Sequence, residues 1–394
     1  MKIHRSLAEA VVQNLHFIFN ENKYADKVIE KTLKSNPRWG ARDRRFIAET
    51  TYDIVRWKRL YQAITQSGES DFWKWMAVWI VQRDFELADW KEFSTVNRKD
   101  IKNRLTAEYP RAVQQSIPDW LDELGESQIG ERWSTELTAL NEQAEVVLRA
   151  NTLKTNRDAL AELFTAETIE TDTLKNFPDA LVLRKRQNIF QSQYFKEGLF
   201  EVMDAGSQAI APFLNAKPGD RIIDACAGAG GKTLHLAALM KNKGKIVAMD
   251  TEQWKLDELS KRARRAEAFN IETRLIDSGK VIKRLENSAN CLLLDVPCSG
   301  LGVLRRNPDA KWKLSMEFIQ NVNELQKNIL QDYCTMVKAG GKLVYSTCSI
   351  LPMENENVVT DFLEKNSNFK LEEEMRIWPS DGFDGFYMAR LKKI

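Results

Sequence analysis

Apolar residues in the first third of the chain recur at helical spacing. Leu7, Val11, Leu15 and Ile18 fall three or four apart, on one face of a helix. A second run, Arg42 to Ile64, sets Phe46, Ile47, Ile54, Val55 and Leu60 among basic residues. Residues 1–144 therefore read as a helical domain. Eight of the eleven tryptophans precede residue 134, among them Trp73, Trp75 and Trp79. They read as core and inter-helix packing rather than base-stacking platforms, because tryptophan is buried on average.

The pattern then shortens. Val146 to Asn151, Leu181-Val182-Leu183 and Leu199 to Val202 read as strands. A helix opens near Asn156-Arg157-Asp158, capped by Asn156 or Asp158, and runs through Phe164. Residues 145–203 make a small α+β, ferredoxin-like module. From residue 204 to 394 strands and helices alternate. Strand candidates are 221–225, 246–249, 273–276, 291–294 and 342–345, with helices such as Gln253 to Phe269 between them. That alternation predicts an α/β, Rossmann-like doubly wound, mostly parallel sheet. Ligands of such sheets sit beyond the carboxyl ends of the strands. Those ends here are Asp224, Asp250, Asp277, Asp295 and Ser346-Thr347-Cys348. No internal repeat or low-complexity segment interrupts the pattern.

Composition narrows the class. With 43% hydrophobic and 29% charged residues the chain is an ordinary globular protein, and no apolar run is long enough for a bilayer. The segment Met1 to Ser6 leads into an amphipathic helix without a signal-like hydrophobic region, which points to the cytoplasm. A formal charge of +2 excludes coating nucleic acid by bulk charge but leaves room for a local basic groove. Five cysteines form no C-x-x-C pair, and with three histidines no metal site is expected.

The chemistry concentrates in Asp224 to Thr233, D-A-C-A-G-A-G-G-K-T, between a strand and a helix. A triphosphate loop needs G-x-x-x-x-G-K-[ST], and its first glycine would be Cys226. The dinucleotide fingerprint fails at Thr233, where its third glycine belongs. A loop for S-adenosylmethionine needs only close backbone approach, amides for the ligand's carboxylate and an acid for the ribose. Asp250 stands at the right distance for the ribose, and Asp277 suits the adenine edge. A P-loop-like nucleoside-triphosphate enzyme is the alternative, with Cys291 to Asp295 as its magnesium strand. A non-catalytic RNA chaperone is a third reading.

Two tight turns carry thiols: Asp295-Val296-Pro297-Cys298-Ser299-Gly300 and Tyr345-Ser346-Thr347-Cys348-Ser349. Each alone reads as a small buried hydrophobe. Together, beside a methyl-donor loop, they point to methylation of a pyrimidine at carbon 5. That carbon is a poor nucleophile until a thiolate adds at carbon 6. A carboxylic acid near the ring, such as Asp295, stabilises the charge that develops.

These motifs resemble the Sun/Fmu (RsmB/NOP/Sun-type) family of RNA 5-methylcytosine methyltransferases over about residues 145–394. Met203 to Gln208, Leu304 to Asp309 and Asp384-Gly385-Phe386-Tyr387 match as well. The helices around Ala41 to Arg45 more weakly resemble the NusB-like domain of bacterial members that modify small-subunit ribosomal RNA. The resemblance implies that Cys348 is the nucleophile and that Cys298 serves product release. It implies cofactor contacts from Cys226, Ala227, Gly228, Ala229, Gly230, Gly231, Lys232, Asp250, Asp277 and Asp295. Gly228 stands where the family usually has Ala, and Ala229 where it has Pro, so a slightly less rigid loop is expected.

RNA contact is expected from Arg305, Arg306 and Lys311, with Trp312, after the first thiol turn. Arg184-Lys185-Arg186 with Phe190 and Tyr194 form a second basic and aromatic stretch. Unpaired RNA suits the chemistry, because a stacked base must be extruded to meet the thiol. A monomer acting without a membrane is expected.

Overall fold

The computed structural model describes residues 3–394, so Met1 and Lys2 of the expected lead-in lie outside it. The chain forms two compact units. One comprises residues 1–142 and 304–316, the other residues 143–303 and 317–394.

The first unit is helical. Its longer helices are Arg5–Phe19, Ala25–Ser35, Ala41–Arg56, Phe72–Gln82 and Asp119–Ile129. Leu7, Val11, Leu15 and Ile18 are all buried, as their spacing requires. Phe72–Gln82 is apolar nearly all round and runs through the core, with Trp75 and Trp79 both buried. Trp75 packs its edge against Phe19 and Phe72. These rings are core, as the sequence suggests.

Residues 304–316 complete this unit, although the sequence reads them as part of the sheet domain. Leu304 is buried, and the Trp312 indole donates to the Val55 carbonyl at 2.8 Å. Arg56 donates to the Arg305 carbonyl at 2.9 Å. The Asp309 carboxylate accepts the Ala25 amide at 3.0 Å, at the amino end of Ala25–Ser35 where unpaired N–H groups need an acceptor.

The second unit holds two sheets. The smaller comprises β1 (Val147–Ala150), β2 (Thr171–Leu174), β3 (Phe177–Leu183) and β4 (Phe200–Val202), antiparallel in the order β2-β3-β1-β4. Helix Arg157–Ala166 buries Leu160 and Phe164 against Leu148, Leu181 and Phe200. Asn156 caps it, accepting the Ala159 amide at 2.9 Å.

The larger sheet comprises β5 (Arg221–Asp224), β6 (Lys245–Asp250), β7 (Ile271–Leu275), β8 (Ala289–Asp295), β9 (Val337–Thr347), β10 (Phe369–Ile377) and β11 (Phe386–Lys393). The order is β10-β11-β9-β8-β5-β6-β7. Strands β5 to β9 are parallel, and β11 runs antiparallel between β9 and β10. The chain winds outward from β5 through β6 to β7 and returns to β8 on the other side. The crevice where a ligand settles therefore opens at the carboxyl ends of β5 and β8. Strands β10 and β11 extend the five expected from the sequence. Among the described residues no helix is long and apolar enough to cross a membrane.

Candidate active site

The Gly-rich loop leaves β5 at Asp224 and enters helix Gly231–Leu239. Backbone bonds tie it to both flanking strands: Ala225 N–H to the Leu293 carbonyl at 3.0 Å, and Ala227 N–H to the Met249 carbonyl at 2.9 Å. Gly230 has φ +90°, and a Cβ there would lie 2.5 Å from Leu259, so only glycine fits. Asp250 ends β6 under the loop. Its Oδ2 accepts the Gly228 amide at 2.9 Å and its Oδ1 the Glu252 amide at 3.0 Å. An acid already bonded to the loop amide repels a phosphate there, which argues against a triphosphate and for an uncharged ribose.

Two further residues hold the loop. Arg262 donates to the Ala229 carbonyl at 2.7 Å and to Glu201 at 2.9 Å, and Arg265 donates to the same carboxylate at 2.6 Å. Glu201 is buried on β4, so the small sheet braces the loop from behind. Sequence reading missed this pair, because Glu201 and Arg262 carry no local motif.

Below the loop, Asp224 is buried and accepts the Thr233 hydroxyl at 2.7 Å. Burial pushes its carboxyl up to about 7. Asp295, ending β8, accepts Lys232 Nζ at 2.6 Å on one oxygen and the Ser346 hydroxyl at 3.0 Å on the other. Burial opposes the charge on Lys232, yet the Asp295 carboxylate prevails and holds the ammonium above its ordinary value.

Strands β8 and β9 pair with Asp295 opposite Ser346, so the two thiol turns leave side by side. Cys298 and Cys348 stand with Sγ atoms 3.2 Å apart. The hydrogen bond to Cys348, and then burial, push the Cys298 thiol well up, and either sulfur can be the donor across the pair. The chain after Cys298 folds back over the second turn: Gly302 N–H meets the Cys348 carbonyl at 2.9 Å, and Gly385 N–H meets the Gly302 carbonyl at 2.8 Å. A Cβ on Gly302 would lie 2.2 Å from the Gly385 carbonyl oxygen, which explains the glycines in both stretches.

The expected cofactor residues from Cys226 to Lys232, with Asp250 and Asp295, thus surround one crevice, beside both thiols. The cradle fits S-adenosylmethionine: a Cβ at Gly228 or Gly231 would meet open space, a carboxylate stands at the end of β6, and free amide ends open the helix at Gly231. Asp277 lies past β7, exposed, and accepts the Ser278 hydroxyl at 2.9 Å. Among the described residues no hydrogen bond ties it to the loop.

The expected RNA contacts at Arg305 and Lys311 are corrected. Both are buried in the helical unit, Lys311 at 2% exposure. Lys311 Nζ donates to Asn141 Oδ1 at 3.1 Å and lies 5.3 Å above the Trp312 ring. Burial pushes it well below its ordinary value. Leu304 and Trp312 draw the intervening basic residues inward, so neither buried side chain is presented to RNA. Arg306 is half-buried on the same segment. In the second basic stretch Arg184 pairs with Asp172, Arg186 donates to the Ala144 carbonyl and Tyr194 is buried; Lys185 and Phe190 stay exposed.

Comparison with known proteins agrees with this geometry. Residues 211–392 match the family model of the 16S rRNA methyltransferase RsmB/F, and residues 117–190 match that of the RsmF/B-like ferredoxin-like domain. The "Probable ribosomal RNA small subunit methyltransferase B" of Synechocystis is 31% identical over 99% of both chains. The ribosomal RNA small subunit methyltransferase B of Pectobacterium carotovorum is 34% identical over 70% of this chain and 66% of its own. The crystal structure of PH0851 shares 25% identity, with a TM-score of 0.84 covering 100% of both chains. The cofactor is S-adenosylmethionine, and the triphosphate alternative finds no support. On the joint strength of the cradle, the paired thiols and these matches, the chain belongs to the RsmB/F family of ribosomal RNA methyltransferases.

Proposed function

We propose that this enzyme methylates carbon 5 of a cytosine in small-subunit ribosomal RNA through a transient thioether at Cys348, acting as a monomer in the cytoplasm. The observation that carries the reading is the thiol pair, 3.2 Å apart, next to the Lys232–Asp295 ion pair. Both relatives compared above are named as methyltransferases of small-subunit ribosomal RNA, which supports the substrate.

The Cys348 sulfur, as thiolate, adds to carbon 6 of an extruded cytosine, and the ring electrons move to carbon 5. Bound S-adenosylmethionine supplies the methyl group that carbon 5 takes. Asp295 and Lys232 hold charge and proton at the ring's polar edge, where the addition places electron density. A base then removes the carbon-5 proton, the carbon 6–sulfur bond breaks, and the Cys348 thiolate leaves. Cys298, in hydrogen-bond reach of that sulfur, serves the release.

The test incubates wild type, Cys348→Ala and Cys298→Ala with unmodified small-subunit RNA and labelled cofactor. Digestion to nucleosides should give 5-methylcytidine from wild type and none from Cys348→Ala. Cys298→Ala should yield a slow-migrating RNA–protein band on a denaturing gel. Another methylated nucleoside, or an active Cys348→Ala variant, overturns the reading.

A further inference from the structure

Glu354 is fully buried, on the short turn Pro352–Glu354 that follows β9, and the expected chemistry does not use it. A buried carboxylate is costly unless donors saturate it. Here they do, and they come from both thiol turns. Its Oε1 accepts the Ser299 amide at 2.7 Å and Gln326 Nε2 at 3.0 Å. Its Oε2 accepts the Ser299 hydroxyl at 2.5 Å and the Ser349 hydroxyl. Ser299 follows Cys298, and Ser349 follows Cys348.

The Ser299 hydroxyl also stands 3.2 Å from the Ser349 hydroxyl, so the two serines meet each other as well as the carboxylate. The Leu301 amide donates to the Ser299 hydroxyl at 3.4 Å, and the Leu351 amide donates to the Ser349 hydroxyl at 3.1 Å. Each hydroxyl accepts from backbone and donates a hydrogen bond to Glu354. Gln326 reaches the same group from helix Met316–Tyr333 and donates also to the Pro297 carbonyl at 2.9 Å. The neighbouring Asn355 donates to the Ser349 carbonyl at 3.0 Å and accepts the Thr347 hydroxyl at 2.5 Å. Two turns from different strands are thus stapled to one carboxylate by hydrogen bonds to charge, the stronger kind.

We infer that Glu354 is a positioning residue that sets the distance between the Cys298 and Cys348 sulfurs, and so governs thioether formation and release without touching the RNA or the cofactor. The inference rests on the two-thiol reading above. Misplacing a reacting atom by about 1 Å costs on the order of 10²-fold in rate. Glutamine in place of Glu354 would turn one acceptor oxygen into a donor, facing hydroxyls whose protons already point at it.

The test uses the full chain, with labelled cofactor and unmodified small-subunit RNA. Glu354→Gln should lower kcat about 10²-fold, with KM for RNA and Kd for S-adenosylmethionine within about threefold of wild type. Glu354→Ala combined with Ser349→Ala should fall little further than Glu354→Ala alone, because the two act through one bond. In a Cys298→Ala background, Glu354→Gln should slow the appearance of the denaturation-resistant band. Should Glu354→Gln fail to fold, the Ser299→Ala, Ser349→Ala double variant keeps the carboxylate and must show the same kcat loss. A kcat within threefold of wild type, or a cofactor Kd that weakens in step with kcat, overturns the inference. A wild-type product other than 5-methylcytidine overturns the two-thiol reading instead, and the two failures are told apart by that control.

Discussion

Lys232, partly buried, and Lys311, fully buried, belong one to each unit, and they differ in one respect. Lys232 in the sheet unit faces the Asp295 carboxylate, and it keeps its charge against burial. Lys311 in the helical unit faces the neutral side chain of Asn141 and the ring of Trp312, and burial drives its pKa down. Desolvation acts on both. A charged partner within hydrogen-bond distance decides which one remains a cation. Both were expected to touch a ligand; the sequence shows a lysine after a small residue in each case and nothing of the partner.

Removing the charge should separate them most sharply at Lys232. Lys232→Met should lower kcat/KM about 10²- to 10³-fold, measured with labelled cofactor, because it strips the Asp295 carboxylate of its counter-charge at the ring edge. An activity within threefold of wild type would end the contrast. A smaller effect is expected where the paired cation only braces the loop. Arg262→Ala should weaken S-adenosylmethionine binding about fivefold to tenfold by calorimetry, from loss of the bond to the Ala229 carbonyl, with the adduct chemistry intact. The smallest change belongs to Lys311. Lys311→Met should leave methyl transfer and its salt dependence unchanged and raise Tm near pH 7 by about 2–4 °C. The folded state holds Lys311 with fewer protons than the unfolded chain, so the native lysine costs stability below its unfolded pKa. That cost is relieved as pH rises toward 10.5, the ordinary value, and the Tm gain of the variant should shrink in step. A gain that grows with pH would contradict the assignment.

Legibility followed the range over which each feature is encoded. The cradle was readable because its rules are local: a β-branched strand, glycines at the turn, a helix and an acid ending the next strand. The thiol turns were readable for the same reason, and adjacent parallel strands then bring them together. Strand β10 was not readable, because Leu371 to Arg376 is a mostly exposed run without a period-2 apolar face, as an edge strand permits. Glu201, Arg262 and Glu354 escaped because their partners lie far away in sequence or carry no motif. Arg305 and Lys311 misled, since a basic cluster beside a thiol turn looks like a phosphate clamp. Leu304, Asp309 and Trp312, which draw that cluster inward, find their partners some 250 residues upstream or more.

Because residues 304–316 finish the helical unit, that unit is assembled from two stretches far apart in the sequence. It cannot be shed by a single cut. A protease nick or a shortened transcript that left only residues from Gln143 onward would strand Leu304 and Trp312 without a burial place, on the stretch that follows the Cys298 turn. Such a fragment would expose that apolar stretch to water and be prone to aggregate.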